Sequence, residues 1–113
     1  MLPTSIKNMA DDEAAYIGAM IDGEGWIHLW NTLKGRRFYV QVANTEPEIM
    51  SALLRATGMG KVYGHNARTR PRSKLIFGWR ITRHNDSMAL AIRCKAYSFK
   101  LQRALAWVEK GIR

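Results

Sequence analysis

Two carboxylates, Asp22 and Glu24, lie two residues apart where a predicted helix ends, each followed by a glycine. The C-terminal end of a helix carries partial negative charge, so carboxylates there are unfavourable unless a cation neutralises them. Carboxylate oxygens are hard ligands that suit Mg²⁺, and a bound metal ion can activate water. Judged from these residues alone, a metal site and a plain polar helix end explain the pattern equally well.

The rest of the chain is strongly basic. Its 113 residues include 18 Lys and Arg against 9 Asp and Glu, which gives a formal net charge of +9. Lys7 is the only base up to Glu24, against five acids, so seventeen bases and four acids lie from Gly25 onward. Such a charge suits a polyanion such as nucleic acid and suits cationic ligands poorly. The alternative explanation is the ordinary solubility of a basic protein.

Composition excludes several other classes of protein. The length fits one domain over 1–113, and 47% hydrophobic residues with four Trp supply a core, which excludes a disordered basic tail. The single Cys94 excludes an intrachain disulfide framework and a Cys-rich zinc site. No stretch approaches eighteen apolar residues and the N-terminus has no continuous apolar signal core. We therefore expect an intracellular protein, in the cytoplasm or an organelle, with no membrane partner.

The hydropathy pattern predicts an α+β fold. Apolar residues at helical spacing predict helices at 10–22, from Thr45 to Gly58, from Asn85 or Asp86 to Ile92, and at 97–110. Alternating residues predict strands at 26–30, 37–44, 61–65 and 74–82, the first two forming a hairpin. The resulting order is αββαββα with one added short helix. It predicts a four-stranded antiparallel sheet backed by helices on one face.

The sheet face opposite the helices is expected to bind nucleic acid. Alternation assigns Ile27 and Leu29 to the core and assigns to the open face Trp26, His28, Trp30, Arg37, Tyr39, Gln41, Lys61, Tyr63, His65, Lys74 and Arg80. A two-stranded ribbon fits the major groove of DNA, where Arg, Lys and Gln can read base edges. Basic residues in the two connecting loops are expected to add phosphate contacts: Lys34, Arg36, Arg68, Arg70 and Arg72.

The segment 17–25 carries the most specific signal in the chain. It resembles the motif that names the LAGLIDADG homing endonuclease family. Asp22, Glu24 and Gly25 match the two acids and the final glycine of that motif. The remaining positions match its apolar residues and, in swapped order, its pair of small residues: Ile17, Met20, Ile21, Gly18 and Ala19. The αββαββα order also agrees, and the resemblance is greatest to the homodimeric branch with one motif per chain.

This resemblance implies a homodimer formed through the motif helix. Small residues at Gly18 and Ala19 would let two helices approach closely, and the implied interface comprises Ile17, Gly18, Ala19, Ile21 and Asp22. One motif per chain then implies two copies about a two-fold axis, with the acids of both helices close together. The implied cofactor is Mg²⁺, for which Mn²⁺ or Ca²⁺ can substitute in binding.

The resemblance also implies roles for individual residues. Glu24 matches the metal-binding acid of the family, and the carbonyl of Gly25 lies next to it in sequence, whereas Asp22 matches an acid that is more structural. Asn44 falls where the family often has a Gln that orients water, although a turn residue explains it equally well. A basic residue near the start of the last helix corresponds to Lys95 or Lys100. Helical phase favours Lys95, and Arg80 is a further alternative.

The function implied is that of a site-specific endonuclease that cuts both strands of a long, near-palindromic DNA duplex with Mg²⁺. Relatives of this type are usually encoded within introns or inteins, and their cut initiates copying of the intervening sequence. Two alternatives remain open: a regulator of the same fold that binds DNA without cutting it, and a maturase that binds RNA and assists splicing. The deep, narrow major groove of duplex RNA hides its base edges, which favours DNA.

Overall fold

Five α-helices, one 3₁₀ turn and four strands make up residues 4–66 and 75–111, the part of the chain that this computed structural model describes. In chain order they are α1 (Thr4–Lys7), α2 (Asp11–Glu24), β1 (Gly25–Thr32), β2 (Gly35–Asn44), α3 (Pro47–Thr57), β3 (Lys61–Asn66), β4 (Leu75–Ile81), α4 (His84–Cys94), the 3₁₀ turn (Lys95–Tyr97) and α5 (Phe99–Lys110). The strands form one antiparallel sheet in the order β1-β2-β4-β3. The predicted α+β fold is confirmed, and α1 is an element that the sequence pattern did not predict.

The core lies between the helices and one face of the sheet. Phe38, Val40 and Val42 of β2 and Trp79 and Ile81 of β4 point to this side and are almost completely buried. The helices contribute the buried side chains of Ile17, Ile21, Met50, Leu53, Leu90 and Leu101. Full burial of one such side chain stabilises the fold by about 1.5–3 kcal/mol, so this layer holds the sheet and helices together.

The junction between α2 and β1 has no connecting loop, because Glu24 ends the helix and Gly25 begins the strand. The N–H of Gly25 still donates to the carbonyl of Ile21, as in a helix. A Cβ at Gly25 would lie 2.9 Å from the carbonyl oxygens of both Ile21 and Gln41, so only glycine fits here. The helix thus runs two residues beyond the predicted 10–22, and its last residue lies directly beside the sheet.

Other helix boundaries also differ from the sequence prediction. The helices α3, α4 and α5 begin at Pro47, His84 and Phe99, whereas the predicted starts were a cap at Thr45, a cap at Asn85 or Asp86, and residue 97. In α5 the reason is Ser98, whose hydroxyl accepts the N–H of Leu101 at 3.1 Å and starts the helix there. None of the helices in 4–66 and 75–111 is long and apolar enough to cross a membrane.

The outer strand β1 is only partly covered by helices. Ile27 packs against the core, as predicted. Leu29 lies on the same side of the strand but is 48% exposed, so its assignment to the core was wrong. Alternation fixes the side to which a side chain points, but it does not fix whether a helix covers that side.

His84 satisfies a backbone group that the sheet leaves unpaired. The ladder between β2 and β4 includes Val40 and the residues after it, so the N–H of Phe38 lies beyond it. That N–H donates to Nδ1 of His84 at 3.3 Å, and the two rings meet edge to face with centroids 5.7 Å apart. Burial, and next the positive charge of Arg37, hold the pKa of His84 below its usual value of 6.5. The folded chain therefore favours neutral His84.

We expect the free energy of unfolding to fall as the pH drops below 6.5, because the unfolded chain then binds a proton that folded His84 resists. His84→Gln keeps an acceptor for the N–H of Phe38 and removes the titration. Urea denaturation from about pH 7.5 to 5.5 should therefore show a smaller loss of stability in the variant. An equal loss in both proteins would contradict this assignment.

Candidate active site and nucleic-acid interface

Glu24 and Asn44 are brought together at the end of α2. Glu24 is the last residue of the helix and is exposed, and Nδ2 of Asn44 donates a hydrogen bond to Oε2 of Glu24. The other end of the same amide accepts the N–H of Glu46 at 2.9 Å, in the turn before α3. Asn44 is therefore both a turn residue and a neighbour of Glu24, so the two explanations left open by the sequence are compatible.

Asp22 has a different environment from Glu24. Its carboxylate accepts hydrogen bonds from the Ser98 hydroxyl at 2.7 Å and from the N–H groups of Phe99 and Lys100 at 2.9 and 3.1 Å. Burial raises the pKa of Asp22, but these three hydrogen bonds and the charge of Lys100 outweigh it, so the pKa lies below its usual 3.8. These bonds give Asp22 the contacts of a structural residue that joins α2 to the first turn of α5.

Lys100, and not Lys95, is the lysine that reaches this end of α2. The ammonium of Lys100 donates to the carbonyl oxygen of Gly25 at 2.6 Å. Lys95 is exposed in the 3₁₀ turn, which lies against α2 at Gly18, about 9 Å along the helix axis from Glu24. The preference for Lys95 that was based on helical phase is therefore reversed, because the Ser98 cap starts α5 later than predicted.

The oxygen atoms near Glu24 fit a hard divalent metal ion in type but not in number. The Glu24 carboxylate and the Gly25 carbonyl are ligands that Mg²⁺ accepts. Within residues 4–66 and 75–111, however, no group of three His, Cys, Asp or Glu side chains could hold a metal ion. Among the described residues, Glu24 is thus the one exposed carboxylate at the end of α2.

Three of the five residues assigned to a dimer interface are unavailable to a partner. Ile17 and Ile21 are completely buried in the core of the chain. Gly18 is also buried, and a Cβ there would lie 2.6 Å from the carbonyl oxygen of Tyr97. Its small size therefore serves contact with the 3₁₀ turn of the same chain, and the assignment of these three residues was wrong.

The exposed face of α2 lies on the opposite side of the helix. Ala19 is exposed, whereas Asp22 is half-buried by its bonds to α5. Tyr16 and Gly23 are also exposed and Met20 is half-buried. Residues spaced by three, four and seven positions share one helix face, so these side chains form a continuous surface with Ala19.

Aromatic rings cover the β1–β2 half of the open sheet face. The rings of His28 and Tyr39 are stacked, with centroids 4.3 Å apart and an angle of 13° between their planes. Trp30 meets Tyr39 edge to face at 5.3 Å, and Nε1 of Trp26 donates to Nε2 of His28. Trp26 is 40% exposed, while the other three are half-buried. The predicted aromatic character of this face is confirmed.

Gln41 lies on this face, but its side chain is buried and already hydrogen-bonded. Only 5% of its surface is exposed. Its Nε2 donates to Oη of Tyr63, and its Oε1 lies 3.3 Å from Nε2 of His28. Its amide is thus engaged at both ends, and it links the β1–β2 half of the face to β3. In this structure Gln41 is therefore not placed to contact DNA directly.

Arg36 lies on the helix side of the sheet, contrary to the prediction. Its Nη1 donates to the carbonyl of Trp107 at 3.0 Å, and its guanidinium carbon lies 4.9 Å from the centre of the Trp107 ring. Arg36 therefore fastens the hairpin to α5 and is not part of the open face.

The other predicted basic contacts divide into two groups. Lys34, Arg37, Lys61 and Arg80 are exposed or half-buried and remain available. Arg68, Arg70, Arg72 and Lys74 lie outside the described residues, and the side chain of His65 is not among those described.

Sequence reasoning did not single out Ser98, although a serine just before an amphipathic helix is a recognised capping signal.

Replacing Asp22 with Asn should lower the free energy of unfolding by about 1–3 kcal/mol. The side-chain amide of asparagine carries no negative charge, and its own N–H group would face the N–H donors of Phe99 and Lys100. Glu109→Gln, an exposed acid on α5, is the control and should change stability by less than about 0.5 kcal/mol. Because the pKa of Asp22 is lowered, its contribution is present above pH 3.8 and is lost as the pH falls through the folded pKa. Equal urea midpoints for both variants would contradict the proposed link.

The comparisons with known proteins agree with this geometry. No family model matches the sequence, and no curated protein does. Solved structures do match: the homing endonuclease I-CvuI, in complex with the I-CreI target and 2 mM Mg with the DNA not cleaved, has a TM-score of 0.63 at 14% identity over 88% of this chain and 65% of that one. The archaeal intron-encoded homing endonuclease I-Vdi141I, complexed with DNA, has a TM-score of 0.59 at 15% identity over 88% and 66%.

A third match is the LAGLIDADG homing endonuclease I-GzeII in complex with its DNA target, with a TM-score of 0.55 at 17% identity over 90% of this chain and 36% of that one. The chain thus spans less than two thirds of the length of each of these three proteins. Identities of 14–17% support a shared fold. The chain has the fold of the LAGLIDADG homing endonucleases.

Proposed function

We propose that this chain is a site-specific DNA endonuclease of the LAGLIDADG type, which acts as a homodimer with a divalent metal ion. The observation that carries the proposal is the meeting of Glu24, Asn44 and Lys100 at the end of α2, beside a basic and aromatic sheet face. The three matched structures described above are DNA complexes. Like the intron-encoded I-Vdi141I, such an enzyme would serve the homing of an intron.

The three side chains have complementary chemistry. Glu24 is exposed and would hold a metal ion together with the carbonyl of Gly25. When bound, the ion would polarise a phosphodiester and lower the pKa of its water. The hydrogen bond from Asn44 orients the Glu24 carboxylate. The ammonium of Lys100, now bonded to Gly25, would stabilise the negative charge that develops on a phosphate oxygen.

The open sheet face would bind the duplex on one side of the cut. Trp30 and Tyr39 present apolar edges, while Arg37 and Arg80 present donors for base edges or phosphates. This face begins at β1, directly after Glu24, so a duplex lying along the sheet would approach the carboxylate at the end of α2.

Two copies of the chain are needed to complete the site. Each chain supplies one exposed carboxylate, and a double-strand cut requires a reacting group for each strand. On the exposed face formed by Tyr16, Ala19, Met20 and Gly23, the small residues Ala19 and Gly23 would allow two helices to approach closely. A two-fold axis along this face would bring both copies of Glu24 to the centre of a near-palindromic site.

Cleavage of a randomised duplex library with half-site symmetry tests the proposal. We expect double-strand cuts that require Mg²⁺ and that Glu24→Gln reduces by about 10³-fold or more, because it removes the metal-binding charge. Binding of the duplex should persist in the variant. Sequencing of the bound and the cut molecules measures both, and a chelator should abolish only the cutting.

Glu109→Gln is the matched control, because it removes one exposed acid far along α5 and should leave cutting unchanged. Sedimentation with the selected duplex should give two chains per site. Selective binding without cutting under any metal would overturn the endonuclease and leave a DNA-binding regulator. Tighter binding of structured RNA than of duplex DNA would favour a maturase instead.

The two candidate lysines give a second prediction. Lys100→Met should lower the cleavage rate by about 10²–10³-fold, as expected for loss of a charge that stabilises the transition state. Lys95→Met removes the same charge from an exposed position and should lower it by less than about threefold. Single-turnover rates on the selected duplex measure both. A greater loss in Lys95→Met would contradict the placement of Lys100.

A further inference from the structure

A cavity of about 540 Å³ opens at the edge of the sheet away from β1. It lies between the turn that follows α3 and the turn that follows β4, and its apolar walls come from Met59, Val62 and Ile81. Because β1 and β3 are the two outer strands, the cavity lies about 14 Å across the sheet from the strand that follows Glu24. It is therefore separate from the candidate active site.

Three cations surround this cavity without being neutralised. Lys61 and Arg80 line it and are directly opposite each other in the ladder between β3 and β4. Like charges in directly opposed positions destabilise a sheet. Arg83 adds a third positive charge. Among the described residues the only ion pair within 4.0 Å is Arg93–Asp11, so Asp86, which also lines the cavity, pairs with none of the three.

Arg80 also has an unsatisfied donor. Its Nε is buried and has no hydrogen-bond partner, and its Nη2 reaches Oη of Tyr63 only at 3.5 Å. Buried donors are almost always paired in folded proteins, so each unpaired one needs an explanation. An anion bound at Arg80 would accept a hydrogen bond from the unpaired Nε. It would also reduce the repulsion between Arg80 and the opposed Lys61.

The size and walls of the cavity define the ligand further. Small-molecule sites are typically about 300–1,000 Å³, so this cavity holds more than a single phosphate group. Apolar walls beside three cations suit a molecule that joins a flat, weakly polar part to a phosphate. Asp86 supplies an acceptor for an amino or hydroxyl group.

We propose that this cavity binds one nucleotide, with its phosphate at Lys61, Arg80 and Arg83 and its base against the apolar walls. The choice of a nucleotide rests on the proposed function, since it takes nucleic acid as the partner of the adjoining face. The nucleotide can be free or can be an unpaired residue at the end of a DNA strand, because both present the same base and phosphate.

Titration of the ¹⁵N-labelled full chain with deoxyadenosine 5′-monophosphate tests this inference. We expect the largest shifts of amide signals at 58–63, 80–83 and Asp86, the residues that line the cavity. Lys61→Gln and Arg83→Gln should each weaken binding by about tenfold or more, since each removes a charged hydrogen bond to the phosphate. Lys110→Gln removes one exposed charge elsewhere and should weaken it by less than about twofold.

Stability separates a lost ligand contact from a damaged fold. Because Lys61→Gln removes one of two facing cations, the variant should unfold at the same urea concentration as the parent chain or a higher one. Deoxyadenosine without phosphate and inorganic phosphate alone should each bind more weakly than the nucleotide. Equal binding of inorganic phosphate and the nucleotide would overturn the inference, as would binding that both Gln variants leave unchanged.

Two competitors distinguish the sources of the nucleotide. If the site takes strand ends, a duplex with a 5′-phosphorylated overhang of one nucleotide should displace the bound nucleotide at a lower concentration than a blunt duplex, which reaches Lys61 and Arg80 only across the open face. If the overhang gives no advantage, the ligand is a free nucleotide. This test needs no cleavage, so the cavity can be confirmed even where the nuclease proposal fails. Conversely, a chain that cuts DNA but binds no nucleotide here overturns only this inference.

Discussion

The bond between the Asp22 carboxylate and the first turn of α5 is the constraint on which the candidate site depends. It places the carboxylate at the positive, N-terminal end of α5, whose dipole stabilises the charge that the negative end of α2 disfavours. Because the N–H of Lys100 is one of the donors, its backbone position is fixed relative to α2. Its side chain then reaches Gly25, next to Glu24.

The same geometry explains why two acids so close in sequence behave differently. Residues two apart on a helix point about 200° away from each other, so Asp22 and Glu24 cannot share one environment. Asp22 faces α5 and has all its bonds within the chain, whereas Glu24 is exposed and contacts Asn44. One acid is therefore committed to the fold, and the other remains accessible to a ligand.

Much of this arrangement could be predicted from the sequence, because it depends on periodicity. Alternation identified the two faces of the sheet, and the motif at 17–25 indicated the end of α2 as the candidate site. Periodicity does not reveal how deeply a side chain is buried. Leu29 is exposed because no helix covers it, and Gln41 is buried and bonded to Tyr63, and neither could be predicted from alternation. It also does not reveal which neighbour a small residue meets. Gly18 contacts Tyr97 of its own chain, while the adjacent Ala19 is exposed.

The choice between Lys95 and Lys100 shows a further limit. The two lysines lie five residues apart, and which of them reaches Glu24 depends on where α5 begins. The Ser98 cap sets that start, and Asp22 accepts a hydrogen bond from the same hydroxyl that caps the helix. A contact between residues 22 and 98 is long-range, so no local pattern contains it. The cap itself was visible in the sequence, but the partner that fixes it was not.

Charge links the stability of this fold to binding. The open face and the cavity beside it hold cations at close range, including the opposed Lys61 and Arg80, and no ion pair within 4–66 and 75–111 neutralises them. Such a surface costs stability when the chain is alone and regains it when an anion binds, since a ligand that binds only the folded state stabilises it. The surplus of bases is thus better explained as a binding surface than as ordinary solubility, which would not require facing cations.

The acidic end of α2 is the exception within this positive surface, because there the amide of Asn44 holds the Glu24 carboxylate close to where a polyanion would lie. A carboxylate in that position repels phosphate unless a cation lies between them, and that electrostatic conflict is the physical basis of the metal ion proposed at Glu24.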